Sequence, residues 1–322
     1  MSKEPLLEVK GLKTYFYTKD STIRAVDGVD LKIHPKEVVC IVGESGSGKS
    51  VTSLSVMGLI SKTNGKIVDG EIIFDGKDLL EKSEAEMSEL RGNEISMIFQ
   101  EPMTALNPVL RIGDQMTEGY IRHYDVSKEE ANQKAIEMLE FVSVPRAKEI
   151  MDEYPHQLSG GLRQRVMIAM MMMCDPKLLI ADEPTTALDV TIQAQVLELM
   201  KEMSGDLNTA ILLVTHDLGV VADMADHVVV MYAGQVVETT DADTLFEEAL
   251  HPYTKGLMES IPSISEDKDR LYSIPGTVPH PANFPKGCRF ANRCPIAEEQ
   301  CFQKMPNLRE IRPGHSVRCD LI

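Results

Sequence analysis

The sequence has no tryptophan, no long apolar run and fewer basic than acidic residues. Its longest apolar runs, such as Val166–Cys174, fall well short of the ~18 residues that a membrane-crossing helix needs. The opening stretch, MSKEPLLEVK, also lacks the charged-then-apolar layout of a secretory signal. We therefore expect a cytoplasmic protein whose membrane role, if it has one, is exerted through another subunit.

The charge balance is strongly acidic. There are 33 Lys and Arg against 50 Asp and Glu, a formal charge of −17. Such a surface repels phosphate backbones and anionic lipid heads, so it argues against nucleic acid or bare membrane as a partner, unless a local basic patch exists. The length of 322 residues and the 43% hydrophobic content allow one large α/β domain with a smaller appendage.

The first forty residues alternate between apolar and polar side chains, which is typical of antiparallel strands. Breaks are expected at Asp27-Gly28 and at His34-Pro35-Lys36. The run Val38–Val42 that follows is apolar on both faces, as a central parallel strand should be. Further buried strands are predicted at Ile95–Phe99, Leu178–Ala181, Ile211–Val214 and Val228–Met231.

Helical patterns lie between most of these strands, for example at Lys49–Ile60 and Ile192–Met203. This alternation predicts an α/β fold with a mostly parallel core sheet covered on both sides. The region of about 102–174 is nearly all helical and is predicted to be an inserted helical subdomain. After His251 prolines, glycines and cysteines become frequent, so we divide the chain into a main domain, 1–255, and a C-terminal extension, 256–322.

The strongest motif is GESGSGKS at Gly43–Ser50, which fits the phosphate-loop pattern and lies between a predicted strand and a predicted helix. Its backbone N–H groups would cradle phosphate, while Lys49 reaches the β- and γ-phosphates and Ser50 coordinates Mg²⁺. The alternative, a chance Gly-rich turn, does not explain the flanking elements. The predicted ATP-binding residues of this loop are Gly43, Glu44, Ser45, Gly46, Ser47, Gly48, Lys49, Ser50 and Val51.

A second motif is LLIADEP, an apolar strand that ends in two acids. Asp182 would lie at the carboxyl edge of the sheet, where it suits the Mg²⁺ shell. Glu183 could act as the general base for a water that attacks the γ-phosphate. Taken alone, the motif could equally be an ordinary strand end with two solvated acids.

A third motif is LSGGLRQR, which begins a helix. Ser159, Gly160 and Gly161 would form an anion site at the helix start. A simple serine cap explains Ser159 but not the ordered set of motifs. That set, a phosphate loop, then LSGG, then DEP, closely resembles the ATPase of ABC transporters.

The resemblance implies roles for further residues. Gln100 matches the glutamine that contacts Mg²⁺ and senses the membrane subunit. His216 in LLVTHD matches the switch histidine at the γ-phosphate, and Asp189 lies in the matching D-loop. An aromatic residue of the first strand stacks on adenine in this family, and spacing favours Phe16 over Tyr15. In the family, two ATPase subunits enclose two ATPs, so Ser159, Gly160, Gly161 and Asp189 would serve the ATP of the partner subunit.

Three features narrow the resemblance to the ATP-binding subunits of oligopeptide and dipeptide importers: FQEPMTALNP, HPYTKGL and the Cys-rich tail. The implied partners are a second ATPase subunit, favoured to be a paralogue, two transmembrane permease subunits and an extracytoplasmic solute-binding protein. The chain would then lie at the cytoplasmic face of the cell membrane as a peripheral subunit. Import of nickel or another small solute, and a non-transport ABC ATPase, remain alternatives.

Four cysteines in the tail have the spacing C-x5-C-x6-C-x17-C. In a reducing cytoplasm such a group indicates metal ligation rather than disulfides, and four thiolates suit either Zn²⁺ or an iron–sulfur cluster. The spacing does not choose between them. The resemblance to peptide importers implies a [4Fe–4S] cluster held by Cys288, Cys294, Cys301 and Cys319. Cys40 and Cys174 lie in apolar runs and are predicted to be core residues.

Overall fold

The computed structural model describes residues 4–100, 105–185, 190–260 and 272–322. The chain divides into two compact units. Unit 1 comprises Met1–Ile33, Val38–Leu80 and Val214–Ile322, and unit 2 comprises His34–Glu37 and Glu81–Leu213. Within the described ranges, no helix combines the length and the apolar character needed to cross a membrane.

Unit 1 contains an antiparallel sheet built from the alternating sequence of the N-terminal region. Its strands are β1 (Leu7–Tyr17), β2 (Thr22–Ile33), β4 (Gly65–Phe74) and β5 (Lys77–Asp78), in the order β2-β1-β4-β5. On β1 the apolar side chains of Leu7, Val9 and Leu12 are buried, which confirms the alternation.

The break predicted at Asp27-Gly28 is wrong, because β2 continues through it. Leu12 pairs with Val29 and Lys13 pairs with Asp27, so Gly28 is an extra residue in β2. Gly28 has a φ of +81°, which glycine adopts without steric cost. The glycine therefore marks a β-bulge and not a strand end.

A second group of strands in unit 1 consists of β3 (Val38–Val42), β9 (His227–Tyr232), β10 (Gln235–Asp241), β11 (Arg309–Arg312) and β12 (His315–Val317). β3 is parallel to β9, whereas β9, β10, β12 and β11 follow one another antiparallel. The C-terminal extension thus contributes two strands to the edge next to β10.

The helices of unit 1 are α1 (Lys49–Val56), α8 (Leu218–Met224), α9 (Ala242–Glu248), α10 (Pro252–Glu259) and α11 (Glu299–Gln303). α1 ends four residues before the predicted Ile60, since the chain turns at Gly58, which has a φ of +63°. α10 begins in the HPYTKGL motif and spans the predicted boundary between residues 255 and 256.

Unit 2 holds the parallel pair β6 (Ile95–Ile98) and β7 (Leu178–Asp182). β8 (Ala210–Thr215), most of which belongs to this unit, lies on the other side of β7. All five residues of β7 are buried, as are all six of β8. These strands confirm the predicted buried runs to within one residue at either end.

The helices of unit 2 are α2 (Glu84–Leu90), α3 (Ile112–Tyr124), α4 (Lys128–Phe141), α5 (Ala147–Ile150), α6 (Gly160–Met172) and α7 (Val190–Asp206). α3 to α6 lie within the stretch predicted to be helical, and α7 contains the predicted helix Ile192–Met203. α4 begins with a capping box in which Ser127 and Glu130 bond each other's backbone N–H groups.

Candidate nucleotide site

The phosphate loop runs from the end of β3 to the start of α1, and two of its glycines touch neighbouring backbone. A Cβ at Gly43 would lie 2.2 Å from the carbonyl oxygen of Met231, and one at Gly48 would lie 2.4 Å from that of Ala25. Gly43 has a φ of +152° and Gly48 a φ of +102°. The loop can therefore pack against β9 and β2 only because these positions are glycine.

Lys49 is nearly buried, with 5% of the residue exposed. Its Nζ donates to the carbonyl oxygen of Gly43 at 2.8 Å and to that of Glu44 at 3.2 Å. The side chain thus folds back over the loop that precedes it. An ammonium in this position suits a polyphosphate, which offers a charged acceptor in place of neutral carbonyls.

Ser47, in the same loop, has 1% of its surface exposed, and among the described residues its Oγ has no hydrogen-bond partner. A buried hydroxyl without a partner costs free energy unless a ligand satisfies it. Together with Lys49 and the loop glycines, it makes this segment fit a phosphate group.

Tyr15 and Phe16 lie side by side near the end of β1. The Tyr15 hydroxyl donates to Asp27 Oδ1 at 2.6 Å, so this side chain is held against β2. Burial and this hydrogen bond raise the pKa of Tyr15 to about 12. Phe16 lies beside Gly65, where a Cβ would come within 2.8 Å of its Cε1. The geometry therefore leaves Phe16, the predicted residue, as the better candidate for stacking.

In unit 2, the end of β7 brings two predicted residues together. Glu183 follows the strand with a φ of +48°, a left-handed conformation that a non-glycine residue rarely adopts. Its Oε2 accepts a hydrogen bond from Gln100 Nε2 at 3.3 Å. Asp182, the last residue of β7, is buried. The contact between Gln100 and Glu183 places the predicted base beside the predicted sensor glutamine.

The LSGG segment begins α6 as predicted. Ser159 is the N-cap, and its hydroxyl accepts from the N–H of Leu162 at 3.3 Å. The serine is exposed, and a Cβ at Gly160 would meet no atom of the described residues within 4 Å. A Cβ at Gly161 would lie 3.2 Å from Ile192 Cδ1. Ser159 and Gly160 are therefore not covered by other residues in the described part of the chain.

His216 comes just after β8, belongs to unit 1 and is exposed. The neighbouring Asp217 caps α8 by accepting from the N–H of Gly219 at 2.8 Å. Asp189 lies outside the described residues. The predicted residues are thus divided: the phosphate loop, Phe16 and His216 belong to unit 1, whereas Gln100, Asp182, Glu183 and the LSGG residues belong to unit 2.

Sequence reasoning missed three residues at these segments. Tyr253 and Arg293 both contact Glu44 in the phosphate loop, and the Gln164 side chain, buried in α6, donates to the carbonyl oxygen of Pro184 after β7. Gln164 lies within LSGGLRQR and Tyr253 within HPYTKGL, so the motifs flagged both. No local pattern singles out Arg293.

The four tail cysteines are free thiols of intermediate exposure. Burial, followed by the nearby charges of the other three, raises the pKa of Cys288 to about 11. In the parts of the chain that the structure describes, however, no group of three or more His, Cys, Asp or Glu side chains is arranged to hold a metal ion. The arrangement of the thiols does not support the predicted metal site. Cys40 and Cys174 are buried, as predicted.

The sequence profile of a family described as ABC transporter matches residues 26–186, which is half of the chain. The chain belongs to this family. Within the ABC family, a second profile, described as Oligopeptide/dipeptide transporter, C-terminal region, matches residues 237–301. The chain is therefore an ATPase of the ABC type with a tail of the peptide-transporter kind.

Two relatives from Bacillus subtilis are similar to this chain over almost its whole length. The oligopeptide transport ATP-binding protein AppD is 60% identical, over 98% of this chain and 96% of its own length. The oligopeptide transport ATP-binding protein OppD is 50% identical, over 98% of this chain and 89% of its own length. The resemblance to peptide-transport ATPases is confirmed.

Solved structures of ABC cassettes share the fold. The ATP-binding cassette MJ0796, in a dimeric post-hydrolysis state with ADP and Pi, gives a TM-score of 0.66 at 27% identity, over 73% of this chain and 98% of that one. The protein cbiO1 of Clostridium perfringens gives 0.65 at 28% identity, over 76% and 92%. The predicted α/β fold, with a phosphate loop and an N-terminal antiparallel sheet, is confirmed.

Proposed function

We propose that this ABC ATPase powers the import of di- or oligopeptides. One observation carries the proposal: a phosphate loop with a buried lysine occurs in one chain with a C-terminal region of the oligopeptide/dipeptide transporter kind. Import of nickel or another small solute is the second candidate, because the sequence group that the tail resembles includes such importers.

In this proposal the residues of the site have distinct roles in ATP hydrolysis. Lys49 binds the β- and γ-phosphates together with the loop N–H groups, and Phe16 stacks on adenine. Ser50, Gln100 and Asp182 hold Mg²⁺, which when bound neutralises developing phosphate charge. Glu183 takes a proton from the attacking water as that water forms its bond to the γ-phosphorus and ADP leaves. His216 contacts the γ-phosphate.

The hydrogen bond from Gln100 to Glu183 supports this assignment. A carboxylate held by one neighbour keeps its second oxygen in a defined direction, which is what a general base needs. The same bond would let a movement of Gln100 change the position of the base.

The LSGG residues and Asp189 are assigned to the ATP of a second ATPase subunit, proposed to be a paralogue. The exposure of Ser159, and the lack of any described residue within 4 Å of a Cβ at Gly160, support this. Two transmembrane permeases and an extracytoplasmic solute-binding protein complete the proposed assembly, which places the chain at the cytoplasmic face of the membrane. We propose an ATPase domain over 1–255, with a helical subdomain at about 102–174, and a tail over 256–322.

Two variants test the hydrolytic roles. Glu183→Gln should abolish ATP turnover while ATP affinity is kept and the closed dimer accumulates, whereas Lys49→Ala should lose affinity itself. Hydrolysis by Glu183→Gln at the wild-type rate would overturn the assignment of the base, and unchanged affinity in Lys49→Ala would overturn the phosphate-loop assignment.

Uptake separates the candidate substrates. Cells that lack the chain should lose uptake of a labelled di- or oligopeptide, and the wild-type chain but not Glu183→Gln should restore it. If cells that lack the chain lose ⁶³Ni²⁺ uptake and keep peptide uptake, import of nickel would be favoured instead. Failure of the tagged chain to co-purify with hydrophobic subunits would oppose a transport role.

For the tail, we propose a [4Fe–4S] cluster at Cys288, Cys294, Cys301 and Cys319, with zinc as the alternative. The spacing of four cysteines in the tail supports it, and the backbone N–H of Cys288 donates to the carbonyl oxygen of Cys301 at 2.7 Å, which brings two of the four residues together. Anaerobic purification followed by iron, sulfide and zinc analysis tests it. About four irons with matching sulfide are expected, and a chain without metal would end the proposal.

A further inference from the structure

The second residue of the phosphate loop, Glu44, is held by the C-terminal region of the chain from two sides. Its backbone N–H donates to Tyr253 Oη at 2.8 Å. Its carboxylate accepts from Arg293 Nη1 at 2.6 Å and from Nη2 at 3.0 Å. The first contact joins residues 209 positions apart and the second joins residues 249 positions apart. All three belong to unit 1.

Tyr253 is placed by the start of α10. The N-cap is His251, whose Nδ1 accepts from the N–H of Tyr253 at 3.1 Å, and Pro252 occupies the first turn. The Tyr253 ring is completely buried against Tyr232 and Phe290, with centroid distances of 4.7 and 5.5 Å. The histidine, proline and tyrosine of this motif thus aim one hydroxyl at the phosphate loop.

Arg293 has a side chain that is 4% exposed and satisfied on several sides. In addition to the two hydrogen bonds to Glu44, Arg293 Nε donates to the carbonyl oxygen of Pro275 at 2.9 Å, and Nη1 donates to Tyr232 Oη at 3.3 Å. The pairing with Glu44 raises the pKa of Arg293 above its ordinary value. The Glu44 side chain is 31% exposed, so the pair is half-buried. A two-pronged guanidinium–carboxylate pair fixes orientation as well as charge.

Glu44 also connects to the lysine of the loop. Its carbonyl oxygen accepts from Lys49 Nζ at 3.2 Å, while its N–H is held by Tyr253. The peptide plane that carries the Glu44 N–H also carries the Gly43 carbonyl oxygen, which accepts from Lys49 Nζ at 2.8 Å. A rotation of this plane would therefore move an acceptor of Lys49. The position of Glu44 is coupled, through two hydrogen bonds, to the groups that face phosphate.

We propose that Tyr253 and Arg293 are positioning residues that hold the phosphate loop at Glu44 in its nucleotide-binding conformation. The C-terminal region then sets the affinity of the loop for ATP, although neither residue belongs to the loop. The inference rests on the proposed function of the loop. The competing explanation is that these contacts only attach the tail to the main domain.

The test uses the full-length chain and titration with the fluorescent nucleotide mant-ATP, together with the thermal midpoint and kcat at saturating ATP. Arg293→Gln should raise the Kd by about tenfold, since it removes the charged guanidinium that makes two hydrogen bonds to the Glu44 carboxylate. Tyr253→Phe, which removes only the hydroxyl, should raise it about threefold. Arg293→Lys should be intermediate, and kcat should stay within about twofold for each variant.

Two further variants separate positioning from attachment. Glu44→Gln combined with Arg293→Gln should bind no more weakly than Arg293→Gln alone, because both act through one contact. Arg312→Gln breaks an exposed tail ion pair with Glu248 and should bind as the wild type does. Lower thermal midpoints with an unchanged Kd in both Arg293→Gln and Tyr253→Phe would overturn the inference. If Lys49→Ala keeps full affinity, the proposed function itself fails instead.

Discussion

The Nε2 atom of His315 lies 2.7 Å from the Oε1 atom of Glu238, and both side chains are buried. The histidine comes from β12 in the tail, and the glutamate comes from β10. Glu238 also accepts the N–H groups of Leu250 at 2.7 Å and of His251 at 2.9 Å. One buried carboxylate therefore joins the tail strand, the core strand and the start of α10.

Removal of this carboxylate should destabilise the protein strongly. Glu238→Ala leaves the buried N–H of His251, the part-buried N–H of Leu250 and the buried ring of His315 without their partner. We expect a loss of at least about 3 kcal/mol in the free energy of unfolding. Glu248→Ala is the matched control, since it breaks an exposed pair with Arg312 and should cost less than about 1 kcal/mol. Urea denaturation measures both, and similar losses would contradict the expectation.

His251 should make stability depend on pH. Burial, assisted by the charge of Arg318, lowers its pKa from 6.5 to about 3. Below pH 6.5 the unfolded chain binds a proton at His251 that the folded chain excludes. The contribution of His251 to the free energy of unfolding is therefore fully present above pH 6.5 and is lost as the pH falls toward 3. The loss is about 1.4 kcal/mol per pH unit.

His251→Asn keeps an N-cap acceptor but cannot titrate. Its free energy of unfolding, measured between pH 7 and pH 5, should fall less steeply than that of the wild type. Parallel curves for the two proteins would show that His251 has the same pKa in the folded and the unfolded chain.

Two loop glycines should differ in their tolerance of a side chain. A Cβ at Gly43 would lie 2.2 Å from the carbonyl oxygen of Met231, whereas a Cβ at Gly46, which has a φ of +79°, would have no described residue within 4 Å. Gly43→Ala should cost more than about 3 kcal/mol, and Gly46→Ala only about 1–2 kcal/mol of backbone strain. Thermal unfolding of the two variants compares them, and equal midpoints would count against the close packing on β9.

Substitutions at Phe16 and at Tyr15 should have different effects on the affinity for ATP. Phe16→Ala should raise the Kd for ATP about tenfold, because a base stacked on an aromatic ring gains about 1–3 kcal/mol. Affinity for inorganic tripolyphosphate, which has no base, should not change. Tyr15→Ala removes the neighbouring ring together with its bond to Asp27, and this variant should bind ATP normally. The reverse pattern would transfer the stacking role to Tyr15.

Much of the fold was predictable because its signals are local. Val38–Val42 is apolar on both faces and forms β3 with the predicted bounds, and the glycine pattern that follows it specifies a loop and a helix start. Gly28 shows the limit of such reasoning. A glycine that looks like a strand break is a bulge, because only the pairing with β1 reveals the extra residue.

The sequence by itself determined the kind of chemistry, since the phosphate loop, the acidic strand end and the LSGG helix start are each defined by spacings of a few residues. The tertiary structure alone decided which side chains support them. Tyr253 and Arg293 reach Glu44 across 209 and 249 residues, and Gln100 reaches Glu183 across 83. Such contacts depend on how strands and helices pack, a property that periodicity along the chain does not encode.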